Sequence, residues 1–208
     1  MSNSAPYAIG SVLFVIVSIF LILRAGMASG VDSQLLQEAA RETGAEWVDK
    51  PLIADLDDLS ELEGAAWQGE KPVLGKVSES PASILLVSFW ASYCLPCTRE
   101  WPSMLGLVRA LGTQNMQMVA VSYDESWEPM RSFFMKTTGE MPDADEVVVL
   151  RDGKTADEEM FKTRYGTDKI PETYVVANGR VLFRFVNERD WLDPRMRRFF
   201  ERLLDVTR

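Results

Sequence analysis

The two cysteines of this 208-residue chain, Cys94 and Cys97, are separated only by Leu95 and Pro96. They lie where a run of strand-forming residues, 84–89, gives way to a helix. The free N–H groups and the positive dipole end of a helix stabilise a thiolate, so this position predicts a lowered pKa for Cys94. We therefore predict that Cys94 is an exposed nucleophile and that Cys97, one turn further on, resolves the mixed disulfide.

Three other uses of this cysteine pair are weaker interpretations. A structural zinc site needs four ligands, which this chain could supply only by sharing thiolates between two copies or by adding carboxylates. A purely structural disulfide over so short a loop constrains little of the unfolded chain. Two inert buried thiols are disfavoured by their position beside a proline at a strand-to-helix turn. We predict neither a metal site nor a bound cofactor.

Composition excludes several other classes of chemistry. Because the chain contains no histidine, Ser-His-Asp and Cys-His catalytic groups and imidazole metal ligands are ruled out. Its 22 basic and 31 acidic side chains give a net charge of −9, which disfavours binding to nucleic acid. A hydrophobic share of 47% and a charged share of 25% are typical of a globular domain with a core.

The amino terminus carries a long apolar segment. Residues 7–23 contain no charged side chain and would form about 26 Å of helix, at the short end of a bilayer span. We predict that residues 1–30 are a membrane anchor with a short linker. A cleaved signal peptide ending near Ala28 and Ser29 is the alternative, although the first residues lack a basic region. Arg24 follows the span, and by the positive-inside rule it favours a cytoplasmic main domain.

Residues 31–80 are predicted to form a helix and an irregular lead-in. In the helix, Leu35, Leu36, Ala39 and Ala40 make a short apolar stripe, and Gly44 would end it. From residue 47 to 80 the pattern is irregular, with clustered acids and several Gly and Pro breaks.

Residues 81–208 alternate between strand and helix patterns and predict one α/β domain. The order of strand, helix, strand and helix implies a parallel pair with a crossover. Asn178-Gly179 predicts an antiparallel hairpin, and Asp193 with Pro194 predicts the start of the last helix. The predicted strands are 84–89, 116–122 and 147–150. Four helices are predicted: one from about 94 to 111, one around Pro129, one that ends at Gly166 and one that starts at Asp193.

The segment FWASYCLPCTREWP, residues 89–102, resembles the active-site motif of the thioredoxin superfamily, in particular its membrane-anchored TlpA/ResA/DsbE-like branch. The resemblance covers about residues 83–208 and includes residues 121–125. It implies a thioredoxin-like α/β fold, a central mixed sheet flanked by helices, which here follows an N-terminal transmembrane helix. It also implies that Pro171 is a cis-proline that turns the Ile170 backbone towards Cys94, where an incoming peptide can pair with it.

The sequence departs from the family pattern at three positions. Tyr93 stands where tryptophan is common, and Lys169 where a glycine is usual. The buried acid of thioredoxin itself would fall at Ser88, which cannot act as a base. Glu100 is three residues past Cys97 and a near neighbour on the helix surface, so we predict that it exchanges a proton with Cys97. A solvated helix acid is the alternative reading of Glu100.

The resemblance implies a thiol–disulfide oxidoreductase of the bacterial inner membrane, with a single span and its soluble domain facing the periplasm or cell exterior. Its expected partners are protein substrates with disulfides or thiols, a membrane thiol reductant and, through residues 7–23, the cytoplasmic membrane. The favoured activity is reduction of specific envelope proteins, as in cytochrome c maturation. A disulfide-forming oxidase of the same fold is one alternative. A thioredoxin-fold binding or chaperone module with little turnover is another.

Overall fold

The computed structural model describes residues 34–51, 63–64, 82–112, 115–152, 166–167 and 169–207. The chain divides into two compact units, residues 1–38 and 39–208, and only residues 34–38 of the first are described. The predicted anchor at 7–23 and the helix predicted to end at Gly166 lie outside the described residues. Within those ranges, no helix combines the length and the apolar character that a membrane span requires.

Seven strands of the described ranges form one mixed sheet. They are β1 Glu46–Pro51, β2 Glu63–Gly64, β3 Ile84–Trp90, β4 Met116–Ser122, β5 Val147–Arg151, β6 Glu172–Ala177 and β7 Arg180–Val186. Their order across the sheet is β1-β7-β6-β3-β4-β5-β2. Strands β3, β4 and β5 run parallel. On the other side of β3, β6 pairs antiparallel with β3, β7 with β6, and β1 with β7. Every residue of β3 is buried, as expected of a strand covered on both faces.

Four helices accompany the sheet in the described residues. They are α1 at residues 34–43, α2 Leu95–Leu111, α3 Trp127–Thr137 and α4 Pro194–Thr207. The predicted helix after the cysteines, the helix around Pro129 and the last helix are all confirmed. In α4 the predicted apolar face is buried, from Met196 to Leu204 at helical spacing. Asp193 Oδ1 accepts the Arg195 N–H at 2.8 Å, as a helix cap does.

The first helix differs from its prediction at one residue. Leu36, Ala39 and Ala40 are buried as expected, but Leu35 is 49% exposed and does not belong to the apolar stripe. Adjacent residues of a helix point about 100° apart, so Leu35 and Leu36 cannot both face the same neighbour fully. Gly44 ends the helix in the left-handed conformation, with φ of 72°.

The predicted irregular region contains a strand that the sequence pattern does not show. Strand β1 pairs antiparallel with β7 at the edge of the sheet. Its sequence is EWVDKP, and five of these six residues are exposed. Its register shifts between Trp47 and Lys50, and Asp49 has φ of 46°. The Arg180 side chain fixes this bulge through hydrogen bonds to the Asp49 carboxylate and carbonyl.

The predicted hairpin is confirmed. Asn178 and Gly179 join β6 to β7 with φ of 51° and 66°, the positive values that a two-residue type I′ turn requires. Strand β6 is buried throughout, and β7 alternates between buried and half-buried residues. The hairpin therefore places β6 beside the central strand and leaves β7 to receive β1.

The sheet register brings three chain segments to one end of the sheet. Trp90, the last residue of β3, pairs with Ser122 at the end of β4. Phe89 pairs with Glu172 at the start of the antiparallel strand β6. The residues that follow β3 and β4 and those that precede β6 therefore meet at the carboxyl end of the parallel strands, where open α/β sheets place their sites.

Candidate active site

Cys94 and Cys97 form a disulfide at the amino terminus of α2, with their Cα atoms 5.2 Å apart. Cys94 is the N-cap residue, and its Sγ accepts the Cys97 N–H at 3.2 Å. Thr98 donates its hydroxyl to the Cys94 carbonyl at 3.2 Å. The pair therefore occupies the first turn of the helix, where unpaired backbone N–H groups are available to a thiolate.

The predicted exposure of Cys94 is wrong for this oxidised state. Cys94 is only 6% exposed and Cys97 only 1%. The Cys94 side chain turns inwards to cap the helix and to bond with Cys97, which removes most of its surface from solvent. The exposed groups beside it are Tyr93 and Leu95, with 72% and 66% of their surface accessible. A partner would meet these two side chains before it reached the sulfur atoms.

Asp124 holds the turn that precedes Cys94. Its buried carboxylate accepts the Ser92 N–H at 2.8 Å, the Ser92 hydroxyl at 2.5 Å and the Ser122 hydroxyl at 2.6 Å. The Tyr123 N–H donates to the Trp90 carbonyl at 3.0 Å in the same region. These bonds join the segments that follow β3 and β4. Asp124 belongs to the segment 121–125 that carries the family resemblance, but its local sequence does not predict this role.

Pro171 begins the third segment, and the Ile170–Pro171 peptide bond is cis as predicted. The Pro171 carbonyl accepts the Asn187 N–H at 3.0 Å, which ties the segment to the end of β7. Pro171 is buried and Ile170 is half-buried. The register of β6 against β3 places both at the end of the sheet that carries the disulfide. Pairing of the Ile170 backbone with a substrate stays a prediction.

Ser88, the position at which the family resemblance places a buried acid, is paired with another hydroxyl. It is buried in β3, and its Oγ accepts the Thr173 hydroxyl at 3.1 Å. A different acid, Glu172, is buried on the other face of the sheet, where it forms an ion pair with Arg184 at 2.6 Å and accepts the Tyr174 hydroxyl at 2.5 Å. Burial, and then this bond to Glu172, raise the pKa of Tyr174.

Glu100 is buried rather than placed on the helix surface, so the solvated-acid reading is wrong. Only 5% of the residue is exposed. Desolvation raises the pKa of Glu100 to about 7, against the opposing effect of hydrogen bonds from Trp191 and Arg189. These bonds run from Trp191 Nε1 at 3.3 Å and the Arg189 N–H at 3.2 Å to Oε2. Within the described residues, Glu100 and Cys97 share no hydrogen bond.

A cavity of about 310 Å³ lies against the Glu100 side chain. The segment that follows β7 forms one wall of this cavity, through Glu188, Arg189 and Asp190, and α2 forms the other. An ion pair between Arg99 and Glu188 crosses from one wall to the other. Ser103, also in the wall, accepts the Trp191 N–H at 3.1 Å. The cavity gives water a route to a carboxyl group that is otherwise enclosed by protein.

Residues 82–181 match a family model described as Thioredoxin-like. This part of the chain has a thioredoxin-like fold. Solved structures have the same fold. A protein from Chlorobium tepidum described as thiol:disulfide interchange protein DsbE is 20% identical, and the match covers 75% of this chain and 96% of that one, with a TM-score of 0.54.

Two further structures resemble the thioredoxin-like domain to a similar degree. A thiol:disulfide interchange protein from Bacteroides sp. is 17% identical, with coverage of 69% of this chain and 86% of that one and a TM-score of 0.52. A thioredoxin-related protein from Neisseria meningitidis serogroup B is 21% identical, with coverage of 69% and 99% and a TM-score of 0.50. At these identities the structures establish the fold. With the Cys94–Cys97 pair, the family match supports the predicted class, a thiol–disulfide oxidoreductase.

Replacing Asp124 tests whether its carboxylate holds the turn. Asp124→Ala removes the acceptor for three donors and should lower the free energy of unfolding by about 3 kcal/mol. Asp205→Ala, at an exposed position of α4, should change it by less than about 0.5 kcal/mol. Urea unfolding of the oxidised protein at pH 7 measures both. Equal stability of the two variants would show that the turn does not depend on Asp124.

Glu100 should make stability depend on pH. Its pKa is about 7 in the folded state against 4.5 as the ordinary value, so the folded state binds more protons between these two pH values. The contribution of the protonated Glu100 side chain to the free energy of unfolding is complete below pH 4.5 and is lost as pH rises through 7. The free energy of unfolding should therefore fall by about 3 kcal/mol.

Urea unfolding of the wild type and Glu100→Gln from pH 4.5 to 8 checks this fall. The free energy of unfolding of the wild type should decrease relative to that of Glu100→Gln across this range. Glu128→Gln, at an exposed position of α3, should follow the wild-type profile. Parallel profiles for the wild type and Glu100→Gln would contradict a raised pKa.

Proposed function

We propose that this protein is a membrane-anchored thiol–disulfide oxidoreductase that reduces disulfides in specific proteins of the bacterial envelope. The observation that carries this proposal is the Cys94–Cys97 disulfide in the first turn of α2, with the Cys97 N–H directed at Cys94 Sγ. In the reduced protein this N–H can stabilise a Cys94 thiolate, which is the form that attacks disulfides.

The reaction proceeds by two exchanges. The Cys94 thiolate forms a bond to one sulfur of the substrate disulfide, and the other substrate sulfur leaves as a thiolate. The Cys97 thiolate then attacks Cys94 Sγ, which closes the protein disulfide and releases the first substrate sulfur. Two electrons pass from the cysteine pair to the substrate. A membrane thiol reductant returns them and opens the Cys94–Cys97 bond for the next cycle.

Glu100 supplies the base for the second exchange in this proposal. Cys97 must lose its proton before it can attack, and a carboxyl group with a pKa near 7 can both accept and release a proton at neutral pH. Glu100 lies three residues after Cys97 on α2, within one turn. The cavity beside Glu100 admits water, which can carry the proton from its carboxyl group on to bulk solvent.

The cis-proline segment is the proposed contact for the substrate backbone. Ile170 and Pro171 immediately precede β6, whose pairing with β3 places them at the end of the sheet where α2 begins. An extended substrate segment can form strand-like hydrogen bonds with the Ile170 backbone while its cysteine approaches Cys94. This contact requires only backbone groups, so it favours an exposed disulfide without selecting a particular sequence.

The amino-terminal segment and the family resemblance support a proposed location for the reaction. An anchor at residues 7–23 would confine the domain to the surface of the inner membrane, where a membrane thiol reductant can reach it. We propose the periplasmic or outer face, where disulfides in substrate proteins persist. Apocytochrome c, whose cysteines must be reduced before haem attachment, is the substrate type that we favour.

Cysteine variants test the two-exchange mechanism. Cys97→Ser should accumulate mixed disulfides between Cys94 and substrate, because the resolving thiol is gone. The matched variant Cys94→Ser should accumulate none. Non-reducing electrophoresis of the full chain expressed in a bacterial envelope detects these adducts. Thiol reductants should cleave them. If Cys94→Ser retains the partner interactions and the phenotype of the wild type, the protein is a binding or chaperone module instead.

The reduction potential of the pair determines the direction of electron flow. Titration against defined glutathione or dithiothreitol ratios should give about −220 mV or lower, as for reductases. A value near about −120 mV would make the protein a disulfide-forming oxidase.

A further inference from the structure

A second cavity lies on the other flank of α2, between this helix and α3. Its volume is about 280 Å³. Ser92 and Thr98 form the side nearest the disulfide, and Ser132, Lys136 and Thr137 form the α3 side. Ser92 lies two residues before Cys94, and Thr98 bonds to the Cys94 carbonyl. The cavity is therefore lined by residues on either side of Cys94, the cysteine that attacks substrate in the proposed mechanism.

Lys136 gives this cavity its charge. The residues that line the cavity include no other ionisable side chain. Lys136 is exposed, and among the described residues it forms no ion pair. Ser132 is one helical turn away at i−4, on the same face of α3, and its hydroxyl forms no hydrogen bond with the described residues. An ammonium and a hydroxyl are thus available as donors to a ligand.

The other hydroxyl groups of the cavity already donate their hydrogen atoms within the protein, but their oxygen atoms can still accept hydrogen bonds. Ser92 donates to Asp124, Thr98 to the Cys94 carbonyl, and Thr137 to the Phe133 carbonyl at 2.7 Å. Each oxygen keeps a lone pair that can accept an N–H. A peptide residue with a carboxylate side chain offers an acceptor for the donors of the cavity and a donor for its acceptors. Its carboxylate accepts from Lys136 and Ser132, and its backbone N–H groups donate to the hydroxyl oxygens.

The volume limits what can enter. Sites for cofactors and drug-sized ligands usually measure about 300–1,000 Å³, so this cavity suits a single side chain. We propose that it is a specificity subsite, which receives an aspartate or glutamate side chain located near the reacting cysteine of the substrate polypeptide. The proposal rests on the proposed function and adds a substrate class to it. A lysine or arginine at the same substrate position would face Lys136 and be disfavoured.

Symmetric disulfide dimers of a short peptide test the subsite kinetically. Three peptides carry one cysteine each, with Glu, Gln or Lys two residues away on both sides. The reduced full chain reduces each dimer in a single turnover, which stopped-flow fluorescence or thiol release follows. Lys136→Gln should lower the rate constant for the Glu peptide about two- to fivefold and leave that for the Gln peptide unchanged. Lys136→Glu should in addition raise the rate constant for the Lys peptide.

Lys50→Gln is the matched control, because Lys50 is an exposed lysine on the edge strand β1. It should leave all three rate constants unchanged. An equal loss with Lys50→Gln and Lys136→Gln would mean that net charge, and not the cavity, selects the peptide, and would overturn the proposal. An unchanged rate constant for the Glu peptide in Lys136→Gln would overturn it as well.

A binding measurement separates this proposal from the proposed function. The same peptides with serine in place of cysteine are titrated against the full chain by calorimetry or NMR. Tighter binding of the Glu peptide than of the Gln peptide, lost in Lys136→Gln, supports the subsite even if no peptide disulfide is reduced. Equal binding of both peptides, with reduction intact, overturns the subsite and leaves the oxidoreductase proposal standing.

Discussion

The hydrogen bonds from Ser92 to the Asp124 carboxylate are the constraint on which the site depends. They fix the chain between the end of β3 and Cys94, and the direction of α2 follows because Cys94 caps that helix. A turn held only by backbone groups would let the first turn of α2 move relative to the sheet. The charge-assisted bonds of a buried carboxylate are stronger than neutral ones, which suits a position that a reacting sulfur must occupy repeatedly.

The buried acids of the described residues share one location. Asp124 follows β4, Asp152 follows β5 and Glu172 is the first residue of β6, all at the carboxyl end of the parallel strands. Glu100 lies in the second turn of the helix that begins there. Burial of a carboxylate costs free energy, so a concentration of such groups at one end of a sheet is typical of a functional site. Each acid has a different environment, which lets Glu100 exchange protons near neutrality while Glu172 is paired with Arg184.

Local patterns in the sequence predicted the elements that carry their own signal. The buried strands 84–89 and 116–122, the Asn178-Gly179 hairpin and the helix after Cys94 are of this kind. Strand β1 was missed because its six residues show no strand periodicity. The strand depends on pairing with β7, and the two partners of the Arg180–Asp49 bond are more than 130 residues apart in sequence. The burial of Glu100 was missed for the same reason, since the groups that enclose it, Arg189 and Trp191, are 89 and 91 residues further along the chain.

The bulged strand β1 also limits how the molecule associates. A regular edge strand offers a row of free N–H and carbonyl groups to any extended chain, including another copy of the same protein. Here the bulge at Asp49, the charge of Lys50 and the missing N–H of Pro51 interrupt that row. A second copy of the chain therefore meets no continuous row of backbone partners along this strand, and polymerisation through the sheet edge is disfavoured.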